Sequence, residues 1–183
     1  DKAERLPSIL RDRLSTRWTR QSDGSWSGAE QMIFDPQPQP GNSFYMVLSP
    51  EQQLEGTVVA MNFEGESATP TGIRPEMPPR RREAWNGQNW VPVLKKESDD
   101  ETRGFSFYDT GSKSDIQRGE IVLHLPQQFP VSDFASYRGR WVRCVCTPPQ
   151  MGAPAYSHSP RLLSVSARSI GGTVDVSQCT LMQ

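Results

Sequence analysis

Apolar residues fall in short runs along the chain, and turn-forming residues such as proline and glycine bound each run. The runs are rich in β-branched and aromatic side chains, which is typical of strands. No long helical periodicity separates them, which disfavours a doubly wound α/β fold. The segments predicted as strands in this way are 44–48, 56–63, 120–125, 140–146, 162–165 and 173–176.

A hairpin is predicted between these runs. Ala84-Trp85 and the segment 90–94 flank the turn Asn86-Gly87-Gln88-Asn89. The Asn-Gly step is the favoured one in tight hairpin turns, because both residues tolerate a positive φ. Trp85 and Trp90 therefore stand at the two ends of one turn.

Two segments lack a strand pattern. In residues 1–20, Leu6, Ile9, Leu10 and Leu14 recur at helical spacing, so this segment is predicted to be a short helix or an arm. The stretch 64–82 holds several prolines and ends in Arg80-Arg81-Arg82, and it is predicted to be a loop. The three arginines are interpreted as a solvated run; the alternative is a grip on phosphate or on an acidic partner.

Many short strands with frequent turns predict an all-β fold, an antiparallel β-sandwich of jelly-roll or immunoglobulin-like type, over residues 21–183. Composition agrees, because 16 prolines and 14 glycines among 183 residues are too many for a helical bundle. Little helix is expected beyond the one possible in residues 1–20.

Net charge, hydropathy and cysteine content indicate which partners and which cellular compartment to expect for the protein. Twenty basic and 21 acidic residues leave a net charge of -1, so no nucleic-acid partner is expected. No apolar run is long enough to predict a membrane span. The three cysteines, Cys144, Cys146 and Cys179, are an odd set and are interpreted as reduced thiols, which favours the cytoplasm.

Residues that could carry chemistry are few. His124 lies in an apolar strand and His158 in a Ser-Pro loop, and no nucleophile-elbow motif accompanies either. Cys144 and Cys146 lack the second pair of a zinc site. The acidic run Asp99-Asp100-Glu101 could hold calcium with Asp109 and Asp115, but it lacks the spacing of a dedicated calcium loop. We therefore expect no enzyme activity, no catalytic or metal-binding residues, no cofactor and no small-molecule substrate.

Two alternative functions remain open at this point. Trp85 and Trp90 could stack on sugars, as tryptophans do in carbohydrate-binding sandwiches, although a strand tryptophan is more often a core residue. A viral capsid or receptor-binding jelly roll would have the same fold. An enzyme is the weakest alternative, and its candidate acidic pairs for glycoside hydrolysis would be Glu64 with Glu66 or Asp99 with Asp100.

A series of weak motifs occurs in one order from residue 34 to residue 176. The motifs are Phe34-Asp35-Pro36, Pro40-Gly41 before 45–48, Trp85-Asn86-Gly87-Gln88-Asn89-Trp90, Asp100-Glu101-Thr102-Arg103-Gly104, Gly119-Glu120-Ile121-Val122-Leu123 with Pro126, Gly139-Arg140-Trp141-Val142-Arg143, Pro160-Arg161-Leu162-Leu163-Ser164-Val165 and Gly172-Thr173-Val174. In this order the chain resembles a segment of the large baseplate assembly proteins of contractile injection systems and contractile phage tails. The stretch 105–114 departs from the family pattern as an insertion.

The resemblance implies a structural protein rather than an enzyme. The family proteins are far longer, so this chain would correspond to one domain of such a protein, assembled into a phage-tail-like particle. Its partners would be other baseplate proteins, and the Pro-rich segments 36–40 and 70–79 would supply stiff arms for those contacts. No catalytic residue is carried over from the family.

Overall fold

The computed structural model describes residues 18–20, 26–66, 71–108, 116–134 and 137–172. These residues form two antiparallel sheets that pack face to face, so the predicted β-sandwich is confirmed. The short helix or arm predicted in residues 1–20 lies, as far as residue 17, outside the described residues. Trp18–Arg20, the end of the predicted arm, is a strand.

Sheet A contains five strands in the spatial order β1-β2-β10-β4-β7. Each neighbouring pair is antiparallel, and β4 forms ladders of nine residue pairs with both β10 and β7. The strands are β1 (Trp18–Arg20), β2 (Trp26–Met32), β10 (Arg161–Gly172), β4 (Thr57–Glu66) and β7 (Ile116–His124).

Sheet B runs in the order β3-β9-β5-β6, and the short strand β8 adds to β9 through a hairpin. The predicted hairpin is present as β5 and β6, with Trp85 paired to Trp90. One 3-10 turn, Glu97–Asp99, follows β6. The strands are β3 (Ser43–Leu48), β9 (Tyr137–Cys146), β5 (Arg80–Trp85), β6 (Trp90–Pro92) and β8 (Ser132–Phe134).

The period-two alternation of strands divides the side chains of sheet B between two apolar clusters. Phe44, Ala84, Val142 and Cys144 face sheet A and belong to the main core. Their neighbours on the opposite face form a second cluster, which Phe134 of β8 covers. We call this second cluster the outer aromatic cluster: Tyr45, Trp85, Phe134 and Trp141, with Val47 and Trp90 at its margin.

The prediction of a loop over 64–82 is wrong at both ends. Residues 64–66 continue β4, and Arg80–Arg82 begin β5. Arg80 and Arg82 point into the sandwich and are buried, and only Arg81 is exposed. The three arginines therefore belong to a strand, and their side chains alternate between the core and the solvent. Arg80 and Arg82 can be buried because an ion partner in the core replaces the water that each guanidinium loses.

The last two predicted strands, at 162–165 and 173–176, differ in how they compare with the structure. The strand predicted at 162–165 is part of a longer strand that runs through Gly171 to Gly172. The strand predicted at 173–176 lies outside the described residues. Within the part of the chain that the structure describes, no helix is long and apolar enough to cross a membrane.

Candidate functional site

An ionic cluster lies between the two sheets. Arg80 and Arg82 extend from the inner face of β5 toward Asp100, which is completely buried. Arg80 Nη2 and Arg82 Nη2 lie 2.8 and 3.1 Å from Asp100 Oδ2. Glu97, at the surface, accepts two further hydrogen bonds from the Arg80 guanidinium. Two buried cations therefore share one buried carboxylate, and Arg80 pairs in addition with an exposed one.

The second oxygen of Asp100 holds the loop that follows it. Asp100 Oδ1 accepts hydrogen bonds from the backbone N–H of Thr102 at 2.9 Å and from its hydroxyl at 2.5 Å. Thr102 in turn accepts from the backbone N–H groups of Phe105 and Phe107. We call residues 100–108 the braced loop, because a single carboxylate ties its backbone to two strand arginines.

Electrostatics keep this carboxylate charged. Burial alone would raise the pKa of Asp100, but the guanidinium groups of Arg82 and Arg80, with the Thr102 hydrogen bond, hold it at about 2. Burial would lower the pKa of Arg80, and Asp100 and Glu97 instead raise it. The cluster is therefore an ion pair network at every pH near neutrality.

The backbone of the braced loop is left-handed at three residues that are not glycine. Arg103, Phe105 and Phe107 have φ angles of 49°, 62° and 52°. Such conformations cost on the order of 1–3 kcal/mol each, so packing must hold them in place. Phe105 and Phe107 are buried in the core, and the Arg82 guanidinium lies 4.1 Å from the centroid of the Phe105 ring.

Two glycines on the inner face of sheet A make room for this loop. A Cβ at Gly119 would lie 2.9 Å from Thr102 Cγ2 and 3.0 Å from its backbone nitrogen. A Cβ at Gly65 would lie 2.5 Å from the Phe107 ring. The braced loop therefore fills one end of the space between the sheets, where a larger residue in either strand would displace it.

On its outer side the braced loop borders a groove of about 410 Å³. Tyr108 is 64% exposed at the groove, and Arg103 carries no ion pair within the described residues. Arg118 of β7, also at the groove, pairs with Glu64. The residues that line the groove are Pro75, Glu76, Ser98, Glu101, Arg103, Tyr108 and Arg118.

Trp85 and Trp90 lie apart from this groove, in the outer aromatic cluster. Trp85 is 3% exposed and packs against Phe134 at a centroid distance of 5.6 Å. Trp90 is half-buried, and the Arg143 guanidinium lies over its ring at 4.2 Å. The two rings contact each other at 5.5 Å. Most of their surface is used in packing.

The other residues with reactive or metal-binding side chains are dispersed over the fold. Ser157 Oγ lies 3.1 Å from His158 Nδ1 on the surface, and no ion pair to a described carboxylate orients that ring. His124 Nε2 is 3.8 Å from Asp99, and burial with the nearby Lys95 lowers the pKa of His124. Among the described residues, no three His, Cys, Asp or Glu side chains are grouped to hold a metal ion.

Cys144 and Cys146 are both buried and unpaired. Burial raises the pKa of Cys144, and it raises that of Cys146 to about 11. Both groups are therefore protonated thiols near neutral pH, as expected of small apolar core residues. Glu66, Asp109, Asp115 and Cys179 lie outside the described side chains.

Sequence reasoning did not find the groove. Arg103 stands in the motif 100–104, but nothing in that motif places its side chain at a groove, and Tyr108 belongs to no motif. The acidic run before them suggests calcium ligands, whereas Asp100 accepts hydrogen bonds from Arg80 and Arg82. One signal was available: if three consecutive arginines form a strand, alternation places at least one of them on the buried face, where it needs a partner.

Fold and site together define an antiparallel β-sandwich with a braced loop at one end of its core. A scan of protein-family models, a search of curated proteins and a search of solved structures return no match to this chain.

Proposed function

We propose that this chain is a protein-interaction domain with no enzymatic role, and that the groove beside the braced loop is a binding surface. The observation that carries the proposal is that three strained residues and a buried ion network hold Arg103 and Tyr108 at the surface. Tyrosine and arginine are among the side chains enriched at the energetic centres of protein interfaces. A loop that is already rigid loses little entropy when a partner binds.

We propose further that the domain belongs to a baseplate of a contractile injection system or contractile phage tail, assembled in the cytoplasm with other baseplate proteins. The support is the order of motifs from residue 34 to residue 176. Several motif residues have structural roles: Asp100, Thr102 and Gly104 form the braced loop, and Gly119 packs beneath it. A motif that specifies a rigid surface suits a subunit of a large assembly.

The test uses sheath-bearing particles purified from cells that express the tagged full-length protein containing this chain. Mass spectrometry of the particles should detect the protein at a fixed ratio to the sheath subunit. Arg103→Ala and Tyr108→Ala should lower that ratio at least several-fold with folding intact. Arg138→Ala and Tyr137→Ala, on exposed residues of β9, are the matched controls and should leave it unchanged. Absence of the unaltered protein from the particles would overturn the baseplate assignment.

The isolated chain is expected to be monomeric or weakly associating, because its proposed partners are larger proteins. Light scattering across a range of concentrations measures this directly. A tight, discrete homo-oligomer would argue against a domain that binds other subunits.

The carbohydrate-binding alternative stays a prediction that a glycan array tests. Trp90 offers part of its ring to solvent, but Arg143 would have to move before a sugar could stack there. Glycan binding that Trp90→Ala abolishes without unfolding the chain would favour this alternative. If the chain binds none of the arrayed glycans, the protein-interaction function is favoured over carbohydrate binding.

A further inference from the structure

The strand β3 forms one end of sheet B and differs from the other terminal strands. Within the described residues it pairs with β9 alone, in an unbroken register from Ser43 with Val145 to Leu48 with Arg140. Its sequence, Ser-Phe-Tyr-Met-Val-Leu, has no charge, no proline and no glycine. The half of the strand at Met46–Leu48 is partly exposed. An uncharged, regular edge of this kind is a template for a further strand.

Each of the other terminal strands carries a feature that blocks such pairing. β1, β6 and β8 are three residues long, and β6 ends in Pro92. β7 carries Arg118 and Glu120, and the backbone of Glu120 is already bonded to Glu101. The contrast leaves β3 as the terminal strand without protection among those described.

The hydrogen-bond alternation of the antiparallel ladder identifies which backbone groups are free. Cys146 N donates to Asn42 O, which makes Asn42 a bonded position toward β9. Phe44, Met46 and Leu48 follow at the same parity and bond to β9. Tyr45 and Val47 therefore direct their N–H and C=O groups away from the sheet.

We infer that β3 receives an extended, uncharged strand from a partner protein, which bonds to the backbone of Tyr45 and Val47 and extends sheet B. Main-chain donors and acceptors at this spacing select an extended backbone, and the apolar side chains of Met46, Val47 and Leu48 select apolar neighbours. The inference deepens the proposed function, since the strand donor is a subunit of the same assembly.

A second copy of this chain is a poorer occupant than a separate subunit. Only Met46, Val47 and Leu48 of the strand are partly exposed, and Tyr45 offers its outward backbone groups but not its side chain, so the open stretch is three residues long at the Leu48 end. A pairing of that length falls well short of the roughly 1,200 Å² that a stable interface buries. The donor must therefore be held by a second contact as well, which a larger partner can make elsewhere on the surface.

The test uses the full chain and an acetylated, amidated hexapeptide of alternating valine and threonine at millimolar concentration. In the chain alone, the amides of Tyr45 and Val47 should exchange with solvent much faster than those of Met46 and Leu48. The peptide should slow exchange at Tyr45 and Val47 and shift their NMR signals. Val47→Pro, which removes one outward N–H, should weaken peptide binding about ten-fold. Val47→Ala keeps that N–H and is the matched control.

Three outcomes would overturn the inference. Slow exchange of the Tyr45 and Val47 amides in the chain alone would mean that the edge is already covered. Peptide-induced shifts away from β3, or no shifts at all, would mean that the edge does not accept a strand. A dimer in light scattering that Val47→Pro dissociates would make a second copy the occupant. None of these results depends on whether the protein is found in sheath-bearing particles.

Discussion

Asp100 accepts hydrogen bonds from two strand arginines and from the loop that follows it, all within the core. Its charge offsets part of the two guanidinium charges, and its geometry sets the path of the braced loop. Arg82 also stacks on the Phe105 ring, while its Nε and Nη1 have no hydrogen-bond partner among the described residues. The effect of changing Asp100 should therefore far exceed that of changing an exposed carboxylate.

Asp100→Asn is expected to lower the free energy of unfolding by about 3–5 kcal/mol, because it leaves two buried arginines without their shared charge. Urea unfolding followed by circular dichroism measures the change. Glu97→Gln is the matched control: Glu97 pairs with the same Arg80 but is 55% exposed, so its loss should cost under about 1 kcal/mol. Similar losses for the two variants would contradict the role given to Asp100.

Acid should weaken the fold through the same residue. The pKa of Asp100 is lowered from 3.8 to about 2 in the folded chain, so the folded state binds this proton less readily than the unfolded state. The resulting stability is complete above about pH 4 and is lost as the pH falls toward 2. Between pH 5 and pH 2 the chain should lose about 2 kcal/mol more than Asp100→Asn does. Equal losses in the two proteins would exclude Asp100 as the titrating group.

The three arginines show why the burial and the ion partner of a single residue are difficult to predict from sequence. Three consecutive arginines predict a solvated run because a buried charge is costly without a partner. The partner, Asp100, lies 20 residues from Arg80 and meets it only after the sheets have packed. Local pattern holds no information on that pairing, so the buried cluster and the groove above it were missed.

At the scale of elements, the braced loop and the two strands beneath it fit each other. Gly65 of β4 lies under Phe107, and Gly119 of β7 lies under Thr102. The strands leave a hollow on the inner face of sheet A, and the loop fills it with side chains and with its own backbone.

Gly119→Ala is expected to destabilise the chain by about 1–3 kcal/mol, because the added methyl group meets the Thr102 backbone. Amide exchange locates the damage: protection should fall at Thr102, Phe105 and Phe107, which donate within the loop. The Met46 amide, in the distant β3–β9 ladder, is the internal control and should keep its protection. Uniform loss across both regions would show that the effect is not local.

Strands were more predictable than the loop. The segments 44–48 and 140–146 have the alternation and the flanking turn residues of strands, and β3 and β9 match them closely. The Asn86-Gly87 turn closes its hairpin as predicted, since the requirement for positive φ is local. The path of residues 100–108 depends on contacts with three other elements. Periodicity therefore could not reveal it.

At the scale of the whole molecule, the ion network joins parts that would otherwise meet only through apolar contact. Arg80 and Arg82 belong to sheet B, whereas the braced loop rests on the inner face of sheet A. His124 N also donates to Val93 O, which connects β7 to the end of β6. Separation of the two sheets would break these bonds together.

The sandwich is therefore expected to unfold in one cooperative transition. Tryptophan fluorescence, which reports largely on the outer aromatic cluster, and far-ultraviolet circular dichroism, which reports on both sheets, should give the same urea midpoint. Two separate midpoints would show that one sheet can unfold while the other persists.

The contacts under the braced loop also define a sequence pattern with which distant homologues could be found. Arg80 and Arg82 must be two positions apart to share a strand face, and Asp100, Thr102 and Gly104 must keep their spacing to close the loop. Gly119 must lack a side chain for the loop to fit. The six positions form three groups: the arginine pair, the Asp-Thr-Gly triplet and the single glycine. A search pattern that fixes these groups and allows any sequence of any length between them would find proteins that share this core even where the rest of the sequence has diverged.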